Sequence, residues 1–191
     1  ESDEPIVVQS IQDFSESEIE ESDDGKLYAK VRVCHTLLNR NNSYISEESM
    51  LEAMPTLKYA PLLASIHQLD DGTWDFHSHD FHIEEDEDGN KYEVYDESQV
   101  GTFTADDPYF EYDKEKDKTY VVAKAAIPIE YTRTADIIKA KGGTKVSCEL
   151  LIYDCSYNAE KHYLQLDHFR FNGCACLGSE KDGTPIGEGM E

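Results

Sequence analysis

A two-residue alternation, repeated along the chain, constrains its fold more than any other feature. Across residues 26–36, Leu27, Ala29, Val31 and Val33 occupy every second position. Successive side chains of a strand point to opposite faces, so this spacing predicts a half-buried β-strand. Residues 74–83 alternate likewise, with Asp75, His77, His79, Phe81 and Ile83 on one face. Shorter strand patterns fall at 5–11, 61–66, 92–95, 99–104, 119–129, 144–154, 163–171 and 173–177, with Asn172-Gly173 reading as a break between the last two. Most links are turn-sized: Asn39-Arg40-Asn41-Asn42 and the acidic 84–90 segment ending in Asp88-Gly89-Asn90 read as turns. Residues 12–25 and 106–117 are acidic and read as loops.

Two helices are expected. Ser46 caps one, with Glu47 and Glu48 in its first turn and Pro55 ending or bending it. The other spans 130–141 and stops at Gly142-Gly143. The fold class these elements predict is α+β, a mainly antiparallel β-barrel flanked by a few helices. Residues 1–25 form an acidic N-terminal strand and loop, 26–178 the barrel domain, and 179–191 a Gly-rich linker.

Charge narrows the function. Forty-one Asp and Glu face 17 Lys and Arg, giving a formal net charge of −24 with no basic run. Binding phosphate requires a basic patch, so neither nucleic acid nor an anionic membrane is an expected partner. No stretch approaches the roughly 20 apolar residues that span a bilayer, and the acidic N-terminus lacks the pattern of a secretion signal. Five cysteines, an odd number, then read as reduced thiols in a cytosol-like compartment. Cys174 and Cys176, in an apolar run, read as buried thiols rather than a metal or redox pair.

Two segments offer chemistry. His77, His79 and His82 are three of the seven histidines and lie within six positions. Imidazoles at i and i+2 on a strand can share a metal ion; one of them can instead be a catalytic base; or all can be surface groups on an acidic strand. The second segment is Gly142-Gly143-Thr144-Lys145-Val146-Ser147-Cys148-Glu149. Here Ser147 and Glu149 share one face, while Cys148, a rival nucleophile, falls with Val146 and Leu150 on the other. Most strand serines are structural, and no Gly-x-Ser-x-Gly elbow surrounds this one.

The order of these features resembles the prohead (capsid maturation) proteases of tailed bacteriophages. Asn39-Arg40-Asn41, His79-Asp80, Val100-Gly101, Val146-Ser147-x-Glu149 and the apolar closing strand at 169–177 follow that family's sequence of motifs, over residues 27–177. The resemblance implies a fold like the herpesvirus assemblin protease. It implies Ser147 as nucleophile and His79 as base, with no metal or organic cofactor. Where many relatives read Glu-Val-Ser in the closing strand, this chain has Asn172-Gly173-Cys174. Asn172 can orient an imidazole but cannot balance its charge, so Asp167 and His168 join it as candidates for the third catalytic member. The expected partners are phage scaffold and major capsid proteins and further copies of the chain, inside the assembling prohead in the host cytoplasm. The expected activity is a serine endopeptidase that cleaves those proteins and itself. The departure at Asn172 carries the alternative, a catalytically inactive capsid or scaffold component that keeps the fold.

Overall fold

The computed structural model describes residues 12–13, 19–180 and 186. The expected strand at 5–11 and most of the linker at 179–191 lie outside them. In chain order the strands are β1 (Gln12–Asp13), β2 (Ile19–Ser22), β3 (Lys26–His35), β4 (Leu37–Leu38), β5 (Ser43–Ile45), β6 (Pro61–Ala64), β7 (Ile66–Gln68) and β8 (Trp74–Phe76). They continue with β9 (Phe81–Glu85), β10 (Lys91–Tyr95), β11 (Ser98–Phe103), β12 (Tyr109–Asp113), β13 (Lys118–Pro128), β14 (Lys145–Asn158) and β15 (Tyr163–Leu177). The helices are α1 (Glu47–Ala53), continued by a 3-10 turn at Met54–Leu57, and α2 (Thr134–Lys141).

Eleven strands form one sheet, in the order β1-β14-β15-β6-β11-β13-β3-β2, with β12 on β13, β5 on β15 and β4 on β5. β1 and β14 also lie against β3, so the sheet curls back on itself. Among the described residues no ladder joins its two ends. The sheet is mainly antiparallel, as expected, with β15 parallel to β5 and β6. The β7–β8 and β9–β10 pairs are separate hairpins.

The alternation does what its period requires. Leu27, Ala29, Val31 and Val33 are all buried, and they meet Val121, Ala125, Ile127, Leu150 and Leu166 in one core. Each such aliphatic side chain contributes roughly 1.5–3 kcal/mol on leaving water. α1 and its 3-10 turn cover β15, and Ser46 Oγ accepts the Ser49 N–H at 3.0 Å as the N-cap. α2 starts at Thr134, later than the pattern suggested, and Gly142 ends it in the left-handed region at φ 68°. At Gly101 the sheet is so tight that a Cβ would sit 2.9 Å from the Ala126 carbonyl oxygen, which excludes any larger residue.

Four expectations change. The acidic 12–25 segment contains β1 and the edge strand β2, whose outward glutamates suit an unpaired edge. The acidic 106–117 segment contains β12, because Lys30 and Arg32 on β3 answer its carboxylates: Lys30 meets Glu111 at 2.6 Å, and Arg32 meets Glu111 at 2.7 Å and Asp113 at 3.1 Å. The 163–177 run is one strand, its irregularity absorbed by a register shift opposite Glu149 and Leu150. Finally, 74–83 is not one strand. His77 donates its N–H to Ser65 O at 2.8 Å and accepts from Gly178 N at 3.0 Å, and Asp80 N turns back to Ser78 O at 3.1 Å. The chain therefore leaves the ladder between β8 and β9, and His77 and His79 no longer share a face.

Candidate active site

Three separate parts of the chain meet at His79. The irregular 77–80 stretch presents the imidazole; Glu97 enters from the link between β10 and β11; Glu149 comes from β14. His79 Nδ1 lies 3.0 Å from Glu97 Oε1 and 3.2 Å from Glu149 Oε1. The His79 side chain is 10% exposed, Glu97 3% and Glu149 16%. Burial alone would disfavour an imidazolium, but the contacts with Glu149 and Glu97 outweigh it and raise the His79 pKa to about 9. Both carboxylates lie on the Nδ1 side of the ring, where their charge favours a proton, and Nε2 faces neither of them.

Ser147 lies two residues before Glu149 in a regular stretch of β14, where Ser147 pairs with Ala175 and Glu149 with Gly173. The two side chains therefore emerge on one face. Ser147 is 0% exposed, and its Oγ has no hydrogen-bond partner. His79 Nε2 is likewise buried without one. An orphaned buried hydroxyl costs about 1–3 kcal/mol, and a native fold that retains one calls for an explanation: a catalytic role, strain, or a bound water or ion. Two surface clefts, one lined by Tyr28, Lys30, Tyr109 and Lys124 and one by Gln99, Thr102 and Tyr131, contain neither Ser147 nor His79. With Ser147 at 0% and the His79 side chain at 10% exposure, the site is shut off from solvent.

The three residues expected as third member lie elsewhere. Asp167 accepts from Ser156 Oγ at 2.6 Å and Gln165 Nε2 at 2.7 Å. His168 pairs with Glu52 at 3.0 Å and packs on the Tyr153 ring. Ala175 is the residue opposite Ser147, and at about 3.3 Å per residue Asp167 and His168 stand more than about 20 Å back along β15. Asn172 is closer but exposed, and its parity differs from that of Gly173 and Ala175, so it faces away. The carboxylates beside His79 are instead Glu97 and Glu149. Parity with Ser147 already singled out Glu149. Glu97 carries no such mark, because it sits in a run of acids that reads as solvated.

The other histidines separate from this cluster. His77 Nδ1 contacts the Asp80 carboxylate. His82 bridges Glu84 at 3.0 Å and Asp96 at 2.7 Å on the exposed hairpin. His77, His79 and His82 therefore do not converge on one point; of the three, only His79 belongs to a group with metal-ligand spacing, together with Glu97 and Glu149. All five cysteines are free thiols, and all but Cys155 are buried. Cys148 lies on the core side of β14 at 0% exposure. Burial raises the Cys174 thiol well above its usual range and lifts Cys176 to about 12. Among the described residues, no helix is long and apolar enough to cross a membrane.

The fold and site together define a mainly β protein in which a buried histidine meets two carboxylates beside a strand that carries a buried serine. The chain belongs to the YonD N-terminal domain family, whose model matches residues 25–189. Among solved structures it is similar to the bacteriophage T4 capsid assembly protease, gp21, at 13% identity and a TM-score of 0.48, over 91% of this chain and 98% of that one. No curated protein matches it.

Proposed function

We propose that this chain is a serine endopeptidase of the prohead-protease type, cleaving scaffold and capsid chains, and itself, during phage prohead maturation. One observation carries the reading: a fully buried, unpartnered Ser147 Oγ shares a strand face with Glu149, which with Glu97 holds His79 by Nδ1 and leaves Nε2 unpartnered. In the reaction His79 Nε2 takes the Ser147 proton as Oγ attacks a peptide carbonyl, then gives it to the leaving amine. Water repeats the sequence on the acyl-enzyme. Glu97 and Glu149 are positioning residues: they fix the ring and balance the imidazolium. No cofactor takes part in these steps.

Substrate must reach a serine that is 0% exposed, so the site opens before it acts. Assembly with further copies and with capsid and scaffold chains, inside the prohead in the host cytoplasm, is the event assigned to that opening. The net charge of −24 suits pairing with basic segments of those chains, an association that added salt weakens. The same burial supports a second reading, an inactive capsid or scaffold component that keeps the fold.

The test is self-cleavage of a chain extended at its C-terminus, beside Ser147→Ala and His79→Ala, with capsid and scaffold chains present. Trimming of the wild type alone is the expected result. If all three stay whole, the inactive reading replaces the peptidase. If Ser147→Ala still cleaves, the nucleophile is wrongly assigned.

A further inference from the structure

We propose that His79, Glu97 and Glu149 form a binding site for a divalent transition-metal cation of the zinc type, and that the bound ion silences the peptidase by capturing its base. The silencing rests on the serine peptidase reading; the binding does not.

The donor atoms have the right spacing. One ligand atom from each residue lies within 4.8 Å of the others, and Nδ1 stands 3.0 and 3.2 Å from the two carboxylate oxygens. Ligands bound tetrahedrally at about 2.0–2.1 Å sit about 3.3 Å from one another, close to those separations. His79 Nδ1 and Glu97 Oε1 lie 3.0 Å apart, yet both are buried without a partner in hydrogen-bonding geometry.

A second observation comes from outside the three residues. Ser147 is fully buried, its Oγ is unpartnered, and it emerges from β14 on the face that carries Glu149. On that face its hydroxyl is available to accept a hydrogen bond from a metal-bound water. Charge agrees. A neutral imidazole and two carboxylates sum to −2, which a divalent ion neutralises, whereas a proton leaves a buried net charge of −1. Among the described residues neither Glu97 nor Glu149 pairs with Lys or Arg. One imidazole among the donors selects zinc-like ions over Ca²⁺ and Mg²⁺, which take oxygen shells.

The chemistry balances. The cation takes the Nδ1 lone pair, and one proton of the imidazolium leaves to solvent. The remaining ring proton then sits on Nε2, so Nε2 has no lone pair with which to accept the Ser147 proton.

The test titrates the full chain with Zn²⁺ by calorimetry and with Co²⁺ by its visible absorption. Wild type, Ser147→Ala, Glu97→Gln, Glu149→Gln and His79→Ala are compared. The expected result is one ion per chain, with affinity at least tenfold weaker in the His79 and both Glu variants and within about fivefold of wild type in Ser147→Ala. Self-cleavage is then suppressed by Zn²⁺ and restored by a chelator. Equal binding by wild type, Glu97→Gln and His79→Ala would place the ion on exposed acids and overturn the site, as would absence of binding. Cleavage that needs Zn²⁺ and survives Ser147→Ala would overturn the silencing. If Zn²⁺ binds as expected and no chain is ever cleaved, the peptidase reading fails while the metal site stands.

Discussion

His79 and His82 lie three residues apart, and each imidazole faces two carboxylates. His79 has Glu97 and Glu149 at 3.0 and 3.2 Å; His82 has Glu84 and Asp96 at 3.0 and 2.7 Å. By distance the exposed pairings are the equal of the buried ones. The difference is water. The His79 side chain is 10% exposed and that of His82 is 50%. Charges in water are screened and already solvated, so an exposed ion pair contributes little. In the dry setting the same contacts decide protonation, orientation and which nitrogen is free. A polar cluster becomes a site through what excludes solvent from it.

The sharpest way to break this comparison is by cleavage. Removing Ser147 or His79 should lower self-cleavage by about 10⁴-fold or more, as loss of a member does in other serine triads. His82→Ala should leave the rate within about twofold, since surface pairs act weakly; a large loss there would undo the distinction.

The next effect is on stability. A histidine whose folded pKa is raised to about 9 from 6.5 stabilises the fold fully below pH 6.5 and loses that contribution as pH rises through 9. The shift corresponds to about 3 kcal/mol. Urea unfolding at pH 6 and pH 10 should show this fall in the wild type and not in His79→Gln.

A smaller effect lies in the rate profile with a chelator present. At neutral pH only about 1% of His79 is the free base, so the specificity constant should climb about tenfold per pH unit towards 9. Glu97→Gln removes one of the two contacts that raise the pKa and should move the break down by about one unit. A break that stays in place would mean that Glu97 does not govern the ring. Smallest of all, Glu84→Gln beside His82 should leave both the profile and the thermal midpoint unchanged.

Much of the frame was legible from single residues. Period two placed β3 and the first part of β14, Ser46 marked the start of α1, and Gly142 the end of α2, because each rule is local. Parity likewise put Ser147 and Glu149 on one face and Cys148 in the core. The remainder depended on register. Asp167, His168 and Asn172 looked close to Ser147 because they belong to the closing strand, but β14 and β15 are a long hairpin, and only its pairing shows how far back they lie. Glu97 was hidden differently. It follows Asp96 in a stretch crowded with acids, and composition cannot tell a carboxylate drawn inward from its solvated neighbours. The break in 74–83 was hidden too, since the hydrogen bonds that bend it come from Ser65 and Gly178, both distant in sequence.

The β9–β10 hairpin lies between His79 and Glu97, two members of the site. Its base is pinched where Asp96 N donates to Asp80 O at 2.9 Å. The spacing between these two side chains is therefore set by one rung of a ladder, and the number of residues in the arm beyond it is immaterial. Paired additions or deletions at the tip would leave the ring and its carboxylate in place. The arm is thus a segment whose length and sequence are uncoupled from the geometry at its foot.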